Sequence, residues 1–82
     1  MADRKRAAAP LLRRGLKLQH FRLFAALDET GQISAAAEML ALSQPVASRL
    51  AADAERLSGA ILYRRGSRGV TLTAAGQALA RR

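Results

Sequence analysis

Two side chains in the stretch Ser43-Gln44-Pro45-Val46-Ala47-Ser48-Arg49 can each make paired hydrogen bonds to a flat partner. The Gln44 amide offers a donor beside an acceptor, and the Arg49 guanidinium offers a fork of donors. The edges of adenine and guanine are flat partners of these two kinds. The hydroxyls of Ser43 and Ser48 can donate to a phosphate or a base. Pro45 offers an apolar surface to a thymine methyl and stiffens the chain where it stands. Each residue also has a plainer reading. Ser43 stands where a helix cap belongs, so capping is its first role. Gln44 and Arg49, taken singly, are what any solvated helix face carries. Their weight comes from sharing one face with Ser48 at the start of one helix.

That helix is predicted over residues 44–57, capped by Ser43, with Pro45 in the first turn where its missing N–H costs nothing. Val46 or Ala47, Leu50, Ala54 and Leu57 form its apolar stripe, and Gly59 stops it. Upstream, Leu18, Phe21, Phe24 and Leu27 give a helix over 17–29, ended by Gly31. Ser34 is the expected N-cap of a short helix over 35–41, with Ile33 packing just ahead of it as a staple. Ala41-Leu42-Ser43 makes a tight connection. Downstream the period changes. Ile61-Leu62-Tyr63 and Val70-Thr71-Leu72 read as strands around the turn Gly66-Ser67-Arg68-Gly69. Thr73 then caps a last helical segment over 74–82. The order is helix, short helix, tight turn, longer helix, basic hairpin, helix: a mainly α winged helix-turn-helix, with three helices, a β-hairpin wing and the start of a linker helix. In a helix-turn-helix the second helix of the pair enters the major groove with its first residues at the base edges.

Charge supports this layout. The 82 residues carry 14 Lys and Arg against 6 Asp and Glu. Residues 1–17 are net +5, 18–59 net −2 and 60–82 net +5, so two basic ends flank a mildly acidic middle. A polyanion is the natural partner, nucleic acid first and an anionic membrane surface second. Arg64, Arg65 and Arg68 lie in or beside the hairpin, with no acid in reach, and suit phosphates or a minor groove. Their plainer role is to solubilise an exposed strand edge. Gln32 and Ser34, beside Gly31, are positioned to bond the backbone of one strand.

Composition excludes other classes. There is no cysteine, so disulfides and thiolate metal sites are absent, and no cofactor or metal is expected. The lone histidine, His20, has no nucleophile near it in sequence, and a cap-adjacent role suits it better than catalysis. No apolar run approaches the roughly 18–20 residues needed to span a bilayer. Residues 1–15 are expected to be a disordered basic arm, whose removal should weaken binding to all sequences alike. The arm lacks an aromatic anchor, so no membrane partner is expected. The three aromatics, Phe21, Phe24 and Tyr63, read as core rather than as stacking platforms.

The stretch from Leu18 to Gly76 resembles the N-terminal DNA-binding domain of LysR-type transcriptional regulators. The match lies in Leu18, Phe21 and Phe24; Gly31, Ser34, Ala36, Ala37 and Leu40; Ser43-Gln44-Pro45 with Ser48; Glu55, Gly59, Leu62, Tyr63 and Arg65; and Val70, Leu72, Thr73 and Gly76. The resemblance implies sequence-specific duplex DNA binding for transcription control, through Ser34, Gln44, Pro45, Ser48, Arg49 and the wing arginines. It implies a homodimer or tetramer of a longer protein, paired through the linker helix on a dyad-symmetric operator with a T and an A at matched ends of the half-sites. RNA polymerase is a further candidate partner, and the bacterial cytoplasm and nucleoid the expected location. The expected units are thus the arm at 1–15, the winged domain at 16–72 and a truncated linker helix at 73–82. The family usually has Ser where this chain has Gln32, and larger apolar residues where it has Ala51, Ala54 and Ser58. Those small groups should thin the packing behind the recognition helix unless Ile61 and Tyr63 compensate. The alternative is a winged-helix protein-interaction module that binds no DNA.

Overall fold

The computed structural model describes residues 15–81. The expected basic arm lies outside the described residues except for Gly15, as does Arg82 at the other end. Helix α1 (Leu18–Thr30) turns Phe21, Leu23, Phe24 and Leu27 into the core. Its N-terminus has an unusual cap. The Lys17 N–H donates to His20 Nδ1 at 2.8 Å, and the His20 N–H donates back to the Lys17 carbonyl at 2.9 Å. Histidine thus takes the place that Glu or Gln fills in a reciprocal cap. Gly31 ends α1 at φ 70, its N–H bonded to the Leu27 carbonyl.

Helix α2 (Ile33–Met39) begins earlier than the sequence suggested. Gln32, not Ser34, is its N-cap, in extended conformation and without a side-chain cap bond. Ser34 is instead an exposed residue inside the first turn. The reason is Ile33. It is buried, and joining the helix places it on the same inner face as Ala36 and Ala37. The helix ends in a Schellman turn: Leu42 N–H donates to the Ala37 carbonyl and Ala41 N–H to that of Glu38. The residue in the left-handed position is Ala41, at φ 57, where glycine is usual.

Helix α3 (Gln44–Ser58) starts at Ser43, whose Oγ accepts from the Val46 N–H at 3.3 Å. Its fully buried face is Ala47, Ala51, Ala54 and Ser58, while Leu50 and Leu57 are half-buried. The small residues are therefore the contact surface rather than gaps in it. Groups from ahead of α3 lie against it: His20 comes within 4.0 Å of Asp53, and a Cβ on Gly15 would stand 3.4 Å from Leu57 Cδ2. Leu16 is buried in the same core. Of the two residues expected to compensate, Ile61 is 58% exposed and cannot. Tyr63 packs on Phe24 with ring centroids 6.1 Å apart.

Strands β1 (Tyr63–Gly66) and β2 (Gly69–Leu72) pair antiparallel around Ser67 and Arg68. The first strand is thus displaced from the expected 61–63. The pairing fades at Ile61 and Leu62: the Leu62 carbonyl still takes one bond in register with β2, but the Leu62 N–H and the Ile61 carbonyl are taken by side chains. The Leu62 N–H donates to Glu55 Oε2, the Leu62 carbonyl accepts from the Thr73 N–H, and the Ile61 carbonyl accepts from Thr73 Oγ1. Thr73 also caps α4 (Ala74–Ala80), its Oγ1 accepting from the Gly76 N–H. Gly76 lies so close to the Leu62 carbonyl that a Cβ would overlap it. Helix α4 packs on α1, and its buried residues are Gly76 and Leu79.

Candidate nucleic-acid interface

The first turn of α3 shows its polar groups to solvent. Ser43, Gln44, Pro45 and Arg49 are exposed and Ser48 is half-buried, while Ala47 between them faces the core. Ser43 is both cap and surface: its Oγ accepts from Val46, which leaves the hydroxyl hydrogen available to donate outward. Of Val46 and Ala47, the two residues the period allows in the core stripe, Ala47 is buried and Val46 is 39% exposed, adding an apolar element beside Pro45. Near the other end of the helix, Arg56 is bonded to Asp53 at 2.9 Å, so its charge is partly spent. The Arg56 guanidinium, chiefly, holds the Asp53 carboxyl below its ordinary range, with His20 and Arg49 adding to the effect. The fifteen-residue helix also directs its positive end at whatever meets Ser43 and Gln44.

The three wing arginines are exposed but not equivalent. Residues alternate faces along a strand. Arg65 therefore shares a face with Tyr63, and its guanidinium lies 5.7 Å from the Tyr63 ring centroid. Arg64 is on the opposite face, paired with the exposed Thr71. Arg68 is in the turn itself, where its carbonyl accepts from Gln32 Nε2 at 2.8 Å. The structure thus joins Gln32 to the wing, whereas Ser34 lies exposed in the first turn of α2. Sequence reasoning grouped Gln32 with Ser34 because they are neighbours; the 36-residue gap to Arg68 left no local signal.

His20 is 3% exposed, with Nδ1 occupied by Lys17. Its Nε2 has no hydrogen-bond partner among the described residues. Burial lowers its pKa, outweighing the attraction of Asp53. Among the described residues no group of three or more His, Asp or Glu could hold a metal ion. Among the described residues no helix is long and apolar enough to cross a membrane.

The family model for bacterial regulatory helix-turn-helix proteins of the lysR family matches residues 18–77, which run from the first residue of α1 into α4. The chain belongs to the LysR family. Its LysR relatives include the HTH-type transcriptional regulator GbpR of Rhizobium radiobacter, 43% identical over 63 residues, 77% of this chain and 21% of that protein. Another is the HTH-type transcriptional regulator TdcA of Escherichia coli K12, 43% identical over 77% of this chain and 20% of the relative. The chain thus spans about a fifth of the length of these regulators. Similar solved LysR structures include the CbnR DBD–DNA complex, with a TM-score of 0.75 and 36% identity over 80% of this chain and 76% of that one. The BenM DBD with benA site 1 DNA has a TM-score of 0.73 and 35% identity, over 80% of this chain and 74% of that one.

Proposed function

We propose that this chain binds double-stranded DNA sequence-specifically to regulate transcription, with α3 in the major groove and the wing on the backbone or in a minor groove. Gln44 and Arg49 read base edges, Pro45 and Val46 meet apolar base groups, and Ser43, Ser48 and Ser34 bond phosphates or bases. Arg64 and Arg68 neutralise phosphates, and Arg65 does so from its place over Tyr63. The observation that carries this reading is the exposed face of Gln44, Pro45 and Arg49 on a helix whose opposite face is fully buried alanine. A surface this firmly held, with forked hydrogen-bonding groups at its tip and a basic hairpin alongside, suits a regular polyanion. A protein-interaction module would leave the acid-free wing and the outward polar turn without a purpose. Regulators named as such among the relatives support a binding role and not an enzymatic one.

In a longer protein, α4 continues as the linker that pairs two copies on a dyad-symmetric operator, in the bacterial cytoplasm. Residues 1–15 add sequence-independent affinity, and RNA polymerase is a candidate partner of the assembled regulator. Titration of labelled duplexes at several salt concentrations tests the binding. The expected result is a sequence preference together with a log affinity that falls by about 0.9 per contacted phosphate for each unit of log salt. A flat salt response without sequence preference would contradict it.

A further inference from the structure

The wing is a short hairpin, and two four-residue strands do not hold a fixed position by themselves. Its tip is nevertheless seated on the corner between α1 and α2. Gln32 Nε2 donates to the Arg68 carbonyl at 2.8 Å, and the Val70 N–H donates to the Gly31 carbonyl at 2.7 Å. Between these two bonds stands Gly69 at φ +131, so close that a Cβ would collide with the Gly31 carbonyl oxygen and stand 2.9 Å from Gln32 Nε2. The hairpin can approach the corner this closely only because residue 69 has no side chain. The hydrogen bond from Gln32 is to the backbone of Arg68, whose guanidinium remains in solvent.

That arrangement separates two roles. The Gln32 amide spends one of its two hydrogens on the wing backbone, while Arg68 itself stays exposed. We propose that Gln32 is a positioning residue. It fixes the Arg68 backbone on the α1–α2 corner, so that the Arg68 guanidinium is held where a DNA phosphate passes, and it acts on DNA through Arg68. This rests on the DNA-binding reading of the wing given above. A single exposed hydrogen bond contributes modestly to folding, so the fold survives its loss while the aim of the wing does not.

A double-mutant cycle in the 82-residue chain tests this, with Gln32→Ala, Arg68→Ala and the pair titrated against a duplex recovered by binding-site selection. Gln32→Glu serves as a second variant that keeps the length of the side chain and loses the donor. Each single alanine variant is expected to weaken binding about 2- to 10-fold, the worth of one net hydrogen bond, and to reduce the salt slope by up to about 0.9. The double variant is expected to bind no more weakly than Arg68→Ala alone. Gln32→Glu should weaken binding at least as much as Gln32→Ala. In the free protein, the Val70 amide should exchange faster in Gln32→Ala while the melting temperature holds. Effects of the two residues that multiply, or a Gln32→Ala variant with the wild-type salt slope and Val70 exchange rate, would overturn the positioning role alone. If Arg68→Ala itself leaves affinity and salt slope unchanged, the wing reading falls and the positioning role falls with it.

Discussion

The recognition helix and the wing present similar chemistry to solvent but are held by different forces. Helix α3 is fixed by packing: Ala47, Ala51, Ala54 and Ser58 are buried along its length, and Ser43 and the Schellman turn set its start. The wing is fixed at its base by Leu72 and Tyr63 against the core, and at its tip by two hydrogen bonds to Gly31 and Gln32. Packing positions a helix to within a fraction of an ångström because interiors are close-packed. Hydrogen bonds at a solvent-exposed corner allow more movement. Base reading demands the first kind of precision and phosphate contact tolerates the second. Substitutions behind α3 should therefore cost stability and specificity together, while substitutions at the wing tip should cost affinity with little change in either.

The largest expected effect comes from disturbing the packed side. Ala51→Leu puts a large group where no solvent reaches, and should destabilise the fold by about 1–3 kcal/mol, as overpacked cores do. Thermal or urea unfolding measures it, and a loss below about 0.5 kcal/mol, the range of ordinary surface changes, would mean the face is not close-packed. Ser43→Ala removes the cap of α3 and should cost about 1 kcal/mol. The same variant should weaken DNA binding beyond that stability loss, since the hydroxyl faces solvent as well as Val46. Ala41→Gly should act in the opposite direction. Relief of the left-handed strain at φ 57 outweighs the added freedom of the unfolded chain, for a net gain near 1 kcal/mol in a chemical denaturation midpoint series. A loss of stability there would show that the Schellman turn tolerates alanine without strain.

His20 gives the smallest effect, and its sign is fixed. Burial lowers its pKa in the folded state, so the unfolded chain binds the proton more readily. Stability is then fully present above the unfolded value near 6.5 and declines as pH falls through it toward the lowered folded value. His20→Gln keeps an acceptor for the Lys17 N–H and removes the titration. Melting temperatures between about pH 7.5 and 5 should fall in the parent and fall less in the variant. Equal slopes in the two proteins would assign the pH dependence elsewhere.

Much of this was legible in the sequence because it is local. Ser43 with Pro45, Gly31 and Gly59 each act within one turn of themselves, as Thr73 does in capping α4, and their types state these roles. The exposed face of Gln44 and Arg49 followed from the same helical period. What the sequence did not show depends on contacts between elements. Ser34 has the stronger capping propensity, but burial of Ile33 pulls the start of α2 forward to Gln32. The strand was expected two residues too early because the side chains of Glu55 and Thr73 take the Leu62 N–H and the Ile61 carbonyl. Ala51, Ala54 and Ser58 behind α3 looked like thinned packing in isolation, and belong to its contact face once α1 and α2 are against them. The partner of Gln32 lies across the molecule, beyond any periodicity.

The central claim is that α3 reads bases through its exposed first turns. Binding-site selection from random duplexes, run in parallel on the parent chain and on Arg49→Ala, tests it most directly. The expected result is that Arg49→Ala loses base preference at one position per half-site and binds more weakly by about 1–3 kcal/mol, while preferences at the other positions persist. An unchanged sequence preference in Arg49→Ala would contradict it.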